Sequence, residues 1–505
     1  MVFPVRPEIY MDILPNKKTF MQLAASSSRV PVCGQEKIPG LDISIIFREF
    51  FLKTKNSFLF ESAKGPKETA QYSLMGGGYS KTLEITGQKA KLLNKGKLIS
   101  EWSQPGPALE MLNFEKNVPS VAYLPHFWGG WVGFIGYEGG AWFESLPVKK
   151  SYENNLPDLL FMEVEQFFLY DHVTEELKFI LCPKTKEIEN SYDKLIKEIK
   201  RTWNDIYRIL KGTKEKSKLD NLNLPLPPLL SKGCLKSNLN EVDYTERVKK
   251  VKSYIHEGDI YQANIAQKFE THFEGNPLEL YVKLRQVNPS PFSGYLNFQQ
   301  LSLVSSSPER LVKVHEQKVE TRPIAGTRPR GKKDKEDRAL SLELLLNPKE
   351  QAEHLMLVDL ERNDLGRICQ TGSICVTDFM LLEKYSHVSH IVSNIVGDLK
   401  SETSVYDILK SVFPGGTITG CPKIRCMEII SELETVNRGP YSGSFGYIGF
   451  GPYIDLNIII RSILICDEVA SFHVGAGIVA DSNPEKEYQE TLDKAAAMIQ
   501  ALSHH

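Results

Sequence analysis

Glu350 and Glu353 in "KEQAEH", and Glu487 and Glu490 in "KEYQETLDK", lie three residues apart in segments of helical period. That spacing puts both carboxylates of a pair on one helix face, where they repel by about 0.2–0.5 kcal/mol unless a cation lies between them. Oxygen ligands without histidine clusters or thiolates suit Mg²⁺. Two solvated helix faces would satisfy the same spacing without an ion. In "FPGGTITGCPKIRCMEII", residues 413 to 430, Gly415, Gly416 and Gly420 admit close backbone approach, Thr417 and Thr419 supply hydroxyls, and Lys423 opens an amphipathic segment. These features suit an anion cradle. GxxxxGK[ST] is absent, so the stretch is not a P-loop. Gly475 and Gly477 flank Ala476 in "HVGAGIVADS", a second place for backbone approach. Arg461 interrupts the apolar run "DLNIIIRSILI", where it is either paired internally or bound to a carboxylate.

"RPIAGTRPRG", residues 322 to 331, combines three arginines, two prolines and the Gly326–Thr327 step around the inert Ala325, the composition of a loop that grips an anion. Glu309 in "SSSPER" and His390 in "HVSHIVSNIVG" are acid or base candidates, though a residue of either kind is more often structural. No GxSxG or GxCxG elbow occurs, which disfavours a Ser or Cys acyl-enzyme. Together the residues favour a Mg²⁺-dependent enzyme acting on a small polyanionic carboxylate. A metal-dependent phosphoesterase and a catalytically silent binding module remain as competitors.

These side chains need rigid elements to hold them. "NPKEQAEHLMLVDLERNDLG" and "PEKEYQETLDKAAAMIQAL" have helical period, while "FSGYLNF", "LSLVSSS" and "SFGYIGF" have β character, a mixture that predicts an α/β or α+β fold. Residues 211 to 237, lysine-rich and then proline-rich, read as a linker or surface connection between an amino-terminal unit, 1–210, and a carboxyl-terminal unit, 238–505. "GGWVGFIGYE" at 129 and "SGSFGYIGFG" at 442 share a glycine–aromatic rhythm.

The 505 residues suffice for two or three cores, and 61 basic against 63 acidic side chains leave a formal charge of -2. No chain-wide field recruits nucleic acid or an anionic membrane, so anion recognition must be local. The amino terminus lacks a secretory pattern, no apolar run is long enough to span a membrane, and the eight cysteines form no CxxC pair. A reducing, cytoplasmic setting is expected.

The motifs "GDIYQANIAQ", "SSSPER", "RPIAGTRPRG", "KEQAEHLMLVDLERNDLGR", "FPGGTITGCPKIRCMEI", "RGPYSGSFGYIGF" and "GAGIVADSNPEKEYQETLDKA" together resemble the chorismate-utilising enzymes, component I of aminodeoxychorismate synthase and of anthranilate synthase among them. The resemblance is dense over roughly residues 240 to 500 and looser before. It implies two large β-sheets packed together with flanking helices. It also implies Mg²⁺ held by Glu350, Glu353, Glu487 and Glu490 on the ring carboxylate of chorismate. Arg461, Tyr441 and the Gly475, Ala476 and Gly477 backbone would hold the side-chain carboxylate, and His390 and Thr417 would line the pocket. Glu309, as general acid at the C4 hydroxyl, Gln262, Ala325, Thr327 and Lys423 fall at its catalytic positions.

Gln262 stands where the isochorismate and salicylate synthases are similar in carrying a base-like lysine. Glutamine cannot take a proton from water, whereas ammonia needs no base, so amination is the better match. Without a glutaminase elbow in this chain, ammonia would come from a glutamine amidotransferase subunit. The aminodeoxychorismate branch usually reads PIKGT where the anthranilate branch reads PIAGT, so Ala325 favours anthranilate. "IYQANIAQ", "NPSPFSGYLNF", "PGGTITG" and "DLNIIIR" resemble the aminodeoxychorismate branch, and the balance of positions favours it. "LFES", with Glu61 and Ser62, resembles the segment that binds feedback tryptophan, but Phe292 and Ser293 depart from its partner segment.

Overall fold

Alternating apolar segments become the strands of two large antiparallel sheets, of 13 and 12 strands, in a computed structural model. The structure describes residues 11–62, 71–146, 156–185, 192–216, 235–331, 333–384 and 388–503, with side chains at 212–216 and 327 excepted. The sheets face each other across an aromatic layer that includes Phe58, Phe60, Phe134, Phe167 and Phe445. Helices cover their outer faces over two further cores. The expected helices form at Pro348–Gly366 and Pro484–Leu502, joined by others at Tyr192–Lys216 and Glu241–His256, and the expected strands form at Phe292–Asn297, Leu301–Ser307 and Ser444–Gly449. No helix among the described residues is long and apolar enough to cross a membrane.

Both sheets draw on both halves of the chain. Ser57–Glu61 pairs with Phe292–Asn297 in the larger sheet, and Gly130–Ile135 pairs with Ser444–Gly449 in the smaller one. The segment 211–237 therefore divides the sequence without dividing the hydrogen-bonded sheets, and residues 217–234 within it lie outside the described residues. The glycine–aromatic echo belongs to two neighbouring strands with Gly133 opposite Gly446. A Cβ at Gly133 would lie 2.0 Å from the Leu160 carbonyl oxygen, so the backbones can close only over glycine.

Of the chain crossings between the sheets, two lie side by side in the carboxyl-terminal half. Leu301–Ser307 lies in the larger sheet and runs through Pro308 and Glu309 into Arg310–His315 of the smaller one. Tyr453–Ile458 returns through Arg461 into Ser462–Cys466 of the larger one. "DLNIIIRSILI" is thus not one strand. Arg461 turns the corner in left-handed backbone, φ 52°, a conformation costing a non-glycine residue roughly 1–2 kcal/mol. The crossings bind each other: the Ile458 N–H donates to the Glu309 carbonyl at 3.0 Å, the Ser306 N–H to that of Arg461 at 3.2 Å, and the Ser307 hydroxyl to that of Ile458 at 2.5 Å.

A second tie is Arg29, wholly buried, with Glu115 at 2.8 Å, Glu163 at 3.1 Å, Glu165 at 2.6 Å and the Cys182 carbonyl at 3.0 Å, its guanidinium 3.7 Å from the Phe450 ring centroid. Glu163 lies on a strand of the smaller sheet, and Cys182 directly follows one of the larger. Arg29→Met leaves several carboxylates facing a neutral side chain. It should cost about 3–5 kcal/mol, seen as a lower denaturant midpoint in equilibrium unfolding.

Candidate active site at the sheet crossings

The crossings place Glu309 and Arg461 between the sheets. Glu309 is 6% exposed, and burial pushes its carboxyl up to about 7; the Thr417 hydroxyl, the Ile324 N–H and the charge of Arg461 oppose the rise without cancelling it. A carboxylic acid that keeps its proton near neutrality can donate it. His390 lies across the strand pair from Thr327 and approaches the Gly326 carbonyl through Nδ1 at 3.2 Å. Burial first and Arg461 second push its imidazole down to about 4, so it stays neutral while that carbonyl favours its proton.

The four glutamates lie on helices that begin alike. Asn347 and Asn483 cap Pro348–Gly366 and Pro484–Leu502 with their side chains, and proline follows at the first helical position of each. The glutamates therefore lie in the first two turns, where the helix dipole favours negative charge. The two pairs interact. Burial pushes Glu353 up, Gln262 pulls it down with a 2.9 Å hydrogen bond, and the charges of Glu350 and Glu490 push it up again. Burial and Glu490 push Glu487 up, and Lys349 acts against the rise at both Glu353 and Glu487. Oxygen ligands whose charges oppose one another fit a hard divalent cation. Among the described residues, the ligand-type trio whose atoms lie within 4.8 Å of one another is instead His272, Glu274 and Glu468, exposed at the other end of the strand that begins with Gln262.

The strands Gln262–His272 and Val469–Ile478 form the floor, with Asn264 opposite Gly477 and Ala266 opposite Gly475. A Cβ at Gly475 would meet Asn264 Oδ1 at 2.3 Å and the Tyr441 hydroxyl at 2.8 Å, and one at Gly477 would meet Gln262 Nε2 at 2.5 Å. Glycine thus lets the polar groups of Asn264, Tyr441 and Gln262 close against this backbone, while Ala476 packs into the core behind it. Gln262 Oε1 and Asn264 Oδ1 are buried acceptors without a hydrogen-bond partner. Ala325, 6% exposed, sits at a bulge in Ile324–Pro329, and the side chain of Thr327 lies outside the described residues.

Several expected roles change. The three arginines of the 322–331 loop do not grip a free anion: Arg322 pairs with Glu383, Arg328 with Glu343 and Glu350, and Arg330 with Asp337. Lys423 does not open onto an anion cradle either. Its ammonium meets Asp364 at 2.5 Å and the Val412 carbonyl at 3.1 Å, because a cation at this depth needs a counter-charge. Asp364 and Glu361 were missed, since "ERNDLG" reads as a solvated face. The signal is present in the helical stripe Leu357, Val358, Glu361, Asp364, Leu365, all buried. Burial, then Asp364, pushes Glu361 up, with Glu309 adding to the rise. Arg438 was also missed; it is buried on Glu434 and donates to the Asn264 and Ile418 carbonyls. Away from the site, Glu61 is buried, accepts from the Tyr281 hydroxyl at 2.7 Å and pairs with Arg285, while the Ser62 hydroxyl donates to the Tyr72 carbonyl at 3.0 Å.

Facing antiparallel sheets with a buried, protonated acid at their crossing and glutamates at two helix starts suit an enzyme that works by acid catalysis. Residues 55–500 match the chorismate binding enzyme family, and the chain belongs to it. Anthranilate synthase component 1 of Aquifex aeolicus is 40% identical over 89% of this chain and 90% of the relative, and that of Acetivibrio thermocellus 38% over 95% and 96%. Aminodeoxychorismate synthase component 1 of Bacillus subtilis is 36% identical over 92% of this chain and 96% of the relative. The crystal structure of anthranilate synthase component I from Streptococcus pneumoniae superposes with a TM-score of 0.73 at 32% identity, covering 85% of this chain and 92% of that one.

Glu309→Gln should lower kcat about 10²–10⁴-fold while chorismate still binds in a titration. In the native chain, kcat should fall with a single-proton limb above about pH 7, as the acid loses its proton. Because the folded pKa lies above the ordinary 4.5, native stability at this group is lost as pH rises from about 4.5 through about 7. The glutamine variant should escape that loss and melt higher than the native chain at pH 8.

Proposed function

We propose that this chain aminates chorismate with ammonia in a Mg²⁺-dependent reaction, giving 4-amino-4-deoxychorismate. One observation carries the amination: the amide of Gln262 donates to Glu353 and faces Gly477, so the position offers no base to activate water. A nucleophile that arrives with a free lone pair needs none. Glu350, Glu353, Glu487 and Glu490 would hold the Mg²⁺, which when bound supplies positive charge for the ring carboxylate. Arg461, Tyr441 and the backbone at Gly475 and Gly477 would hold the side-chain carboxylate, with neutral His390 and Thr417 beside the ring. The Glu309 proton passes to the C4 hydroxyl, the C4–O bond breaks and water leaves. The ammonia lone pair forms the C4–N bond, and the proton shed by the new ammonium restores the acid. Relatives named component 1 support a second component, which we take to be the glutamine amidotransferase that releases the ammonia, in a cytoplasmic setting.

Amination at C4 is favoured by the environment of Glu61. In the resembling feedback segment this carboxylate would face tryptophan, but here Arg285 and Tyr281 already engage it. Inhibition by tryptophan should be weak or absent. Half-maximal inhibition at micromolar tryptophan in the ammonium-driven assay would refute this reading of the segment.

The second reading, anthranilate synthesis, is favoured by Ala325. A buried methyl leaves C2 open to ammonia, and loss of water from C4 and then of pyruvate would yield the aromatic product. Incubating the purified chain with chorismate, Mg²⁺ and excess ammonium decides between the two. The first reading requires a product that becomes 4-aminobenzoate only when aminodeoxychorismate lyase is added; anthranilate without lyase establishes the second. Glu353→Gln should raise the Mg²⁺ concentration for half-maximal activity at least tenfold.

A further inference from the structure

Beyond Tyr441 the sheets leave a second space. It is a cavity of about 100 Å³ that opens to solvent, lined by Glu138, Asp158, Lys268, Glu270, Ser471 and His473 as well as Tyr441. His473 and Gly475 lie on the same face of one strand, two residues apart, so cavity and cradle share a floor. What stands between them is a pair of rings: Tyr441 and His473 stack with centroids 5.4 Å apart and planes 17° from parallel. Gly475 bears no side chain beside the Tyr441 hydroxyl, and a methyl there would lie 2.8 Å from it.

The polar groups of this cavity are biased in one direction. Its cations are already committed, Lys268 to Glu270 and Arg438 to Glu434. Its acceptors are not used up. His473 Nε2 is buried without a partner, and the ring's other nitrogen is turned to the Asn437 carbonyl. The Glu138 carboxyl accepts from the Arg438 and Gly439 N–H groups at 2.8 and 2.9 Å, and the Asp158 carboxyl from the Gly87 N–H at 2.7 Å, which leaves lone pairs on both. A carboxylate or phosphate guest would face the Glu138, Asp158 and Glu270 carboxylates, with only cations that are already paired to offset them. A small molecule that donates hydrogen bonds fits, and the reaction above consumes one.

We propose that ammonia reaches the substrate cradle through this cavity, with His473 Nε2 as the last acceptor before the Tyr441 ring. The assignment rests on the amination reading. Glu138 and Asp158 attract ammonium and take its surplus proton, becoming neutral acids as ammonia is released. Burial pushes these two carboxyls up to about 7 and about 6, so they can hold a proton near neutrality. Burial and then the charges of Lys268 and Arg438 push the His473 imidazole well below its ordinary range, so it stays uncharged and can accept from ammonia.

The test is steady-state kinetics of the purified chain with ammonium chloride as the varied substrate. Ser471→Trp fills the cavity away from the cradle, and His473→Phe keeps a ring on Tyr441 while deleting the acceptor. Ser471→Trp should raise the KM for ammonium about tenfold and His473→Phe about threefold or more, with the KM for chorismate and the thermal midpoint as in the native chain. An unchanged ammonium KM in both variants overturns the route. If the tryptophan variant does not fold, His473→Phe decides alone. A native chain that binds chorismate but forms no aminated product overturns the reading beneath the route, and the route with it.

Discussion

The mutual binding of the two sheet crossings is the constraint on which the rest depends. Three hydrogen bonds among Ser306, Ser307, Glu309, Ile458 and Arg461 hold two chains side by side as they exchange sheets. Each crossing exposes a residue that a continuous ladder would turn into a core or out to solvent. An acid and a cation are thereby fixed in the layer between the sheets, Glu309 buried and Arg461 half-buried. The left-handed backbone at Arg461 costs free energy locally and is over-determined by the sheets on either side.

Burial then sets the chemical state of each group. A carboxyl so enclosed keeps its proton, and an imidazole so enclosed gives it up. Charge persists only where it is shared, as at Lys423 with Asp364 and Arg438 with Glu434. The glutamates at the starts of Pro348–Gly366 and Pro484–Leu502 are only partly balanced: Glu350 pairs with Arg328 and Glu490 with Lys494, while burial and fellow carboxylates push Glu353 and Glu487 up. Such a group suits a guest with positive charge.

The helices, many of the strands and the glutamate pairs were legible because period and spacing are local properties. The linker-like composition of 211–237 was legible too, but not that the strands on either side of it interleave, since pairing across more than 200 residues leaves no local trace. "DLNIIIRSILI" reads as a single strand because hydropathy is blind to a change of sheet. The arginines of the 322–331 loop and Lys423 drew attention as free charges, and their carboxylate partners are set by the fold. Glu361 and Asp364 were hidden by the opposite error: charged residues on a helix read as wet unless the apolar stripe on which they fall is traced.

Interleaved sheets also bear on how the chain is made. When the first 210 residues leave the ribosome, Ser57–Glu61 and Gly130–Ile135 have each lost one future neighbour to sequence not yet synthesised. Their hydrogen-bonding edges and the aromatic faces beside them stay open until Phe292–Asn297 and Ser444–Gly449 arrive. The nascent amino half therefore presents open strand edges that can pair with other chains for as long as the second half is being translated.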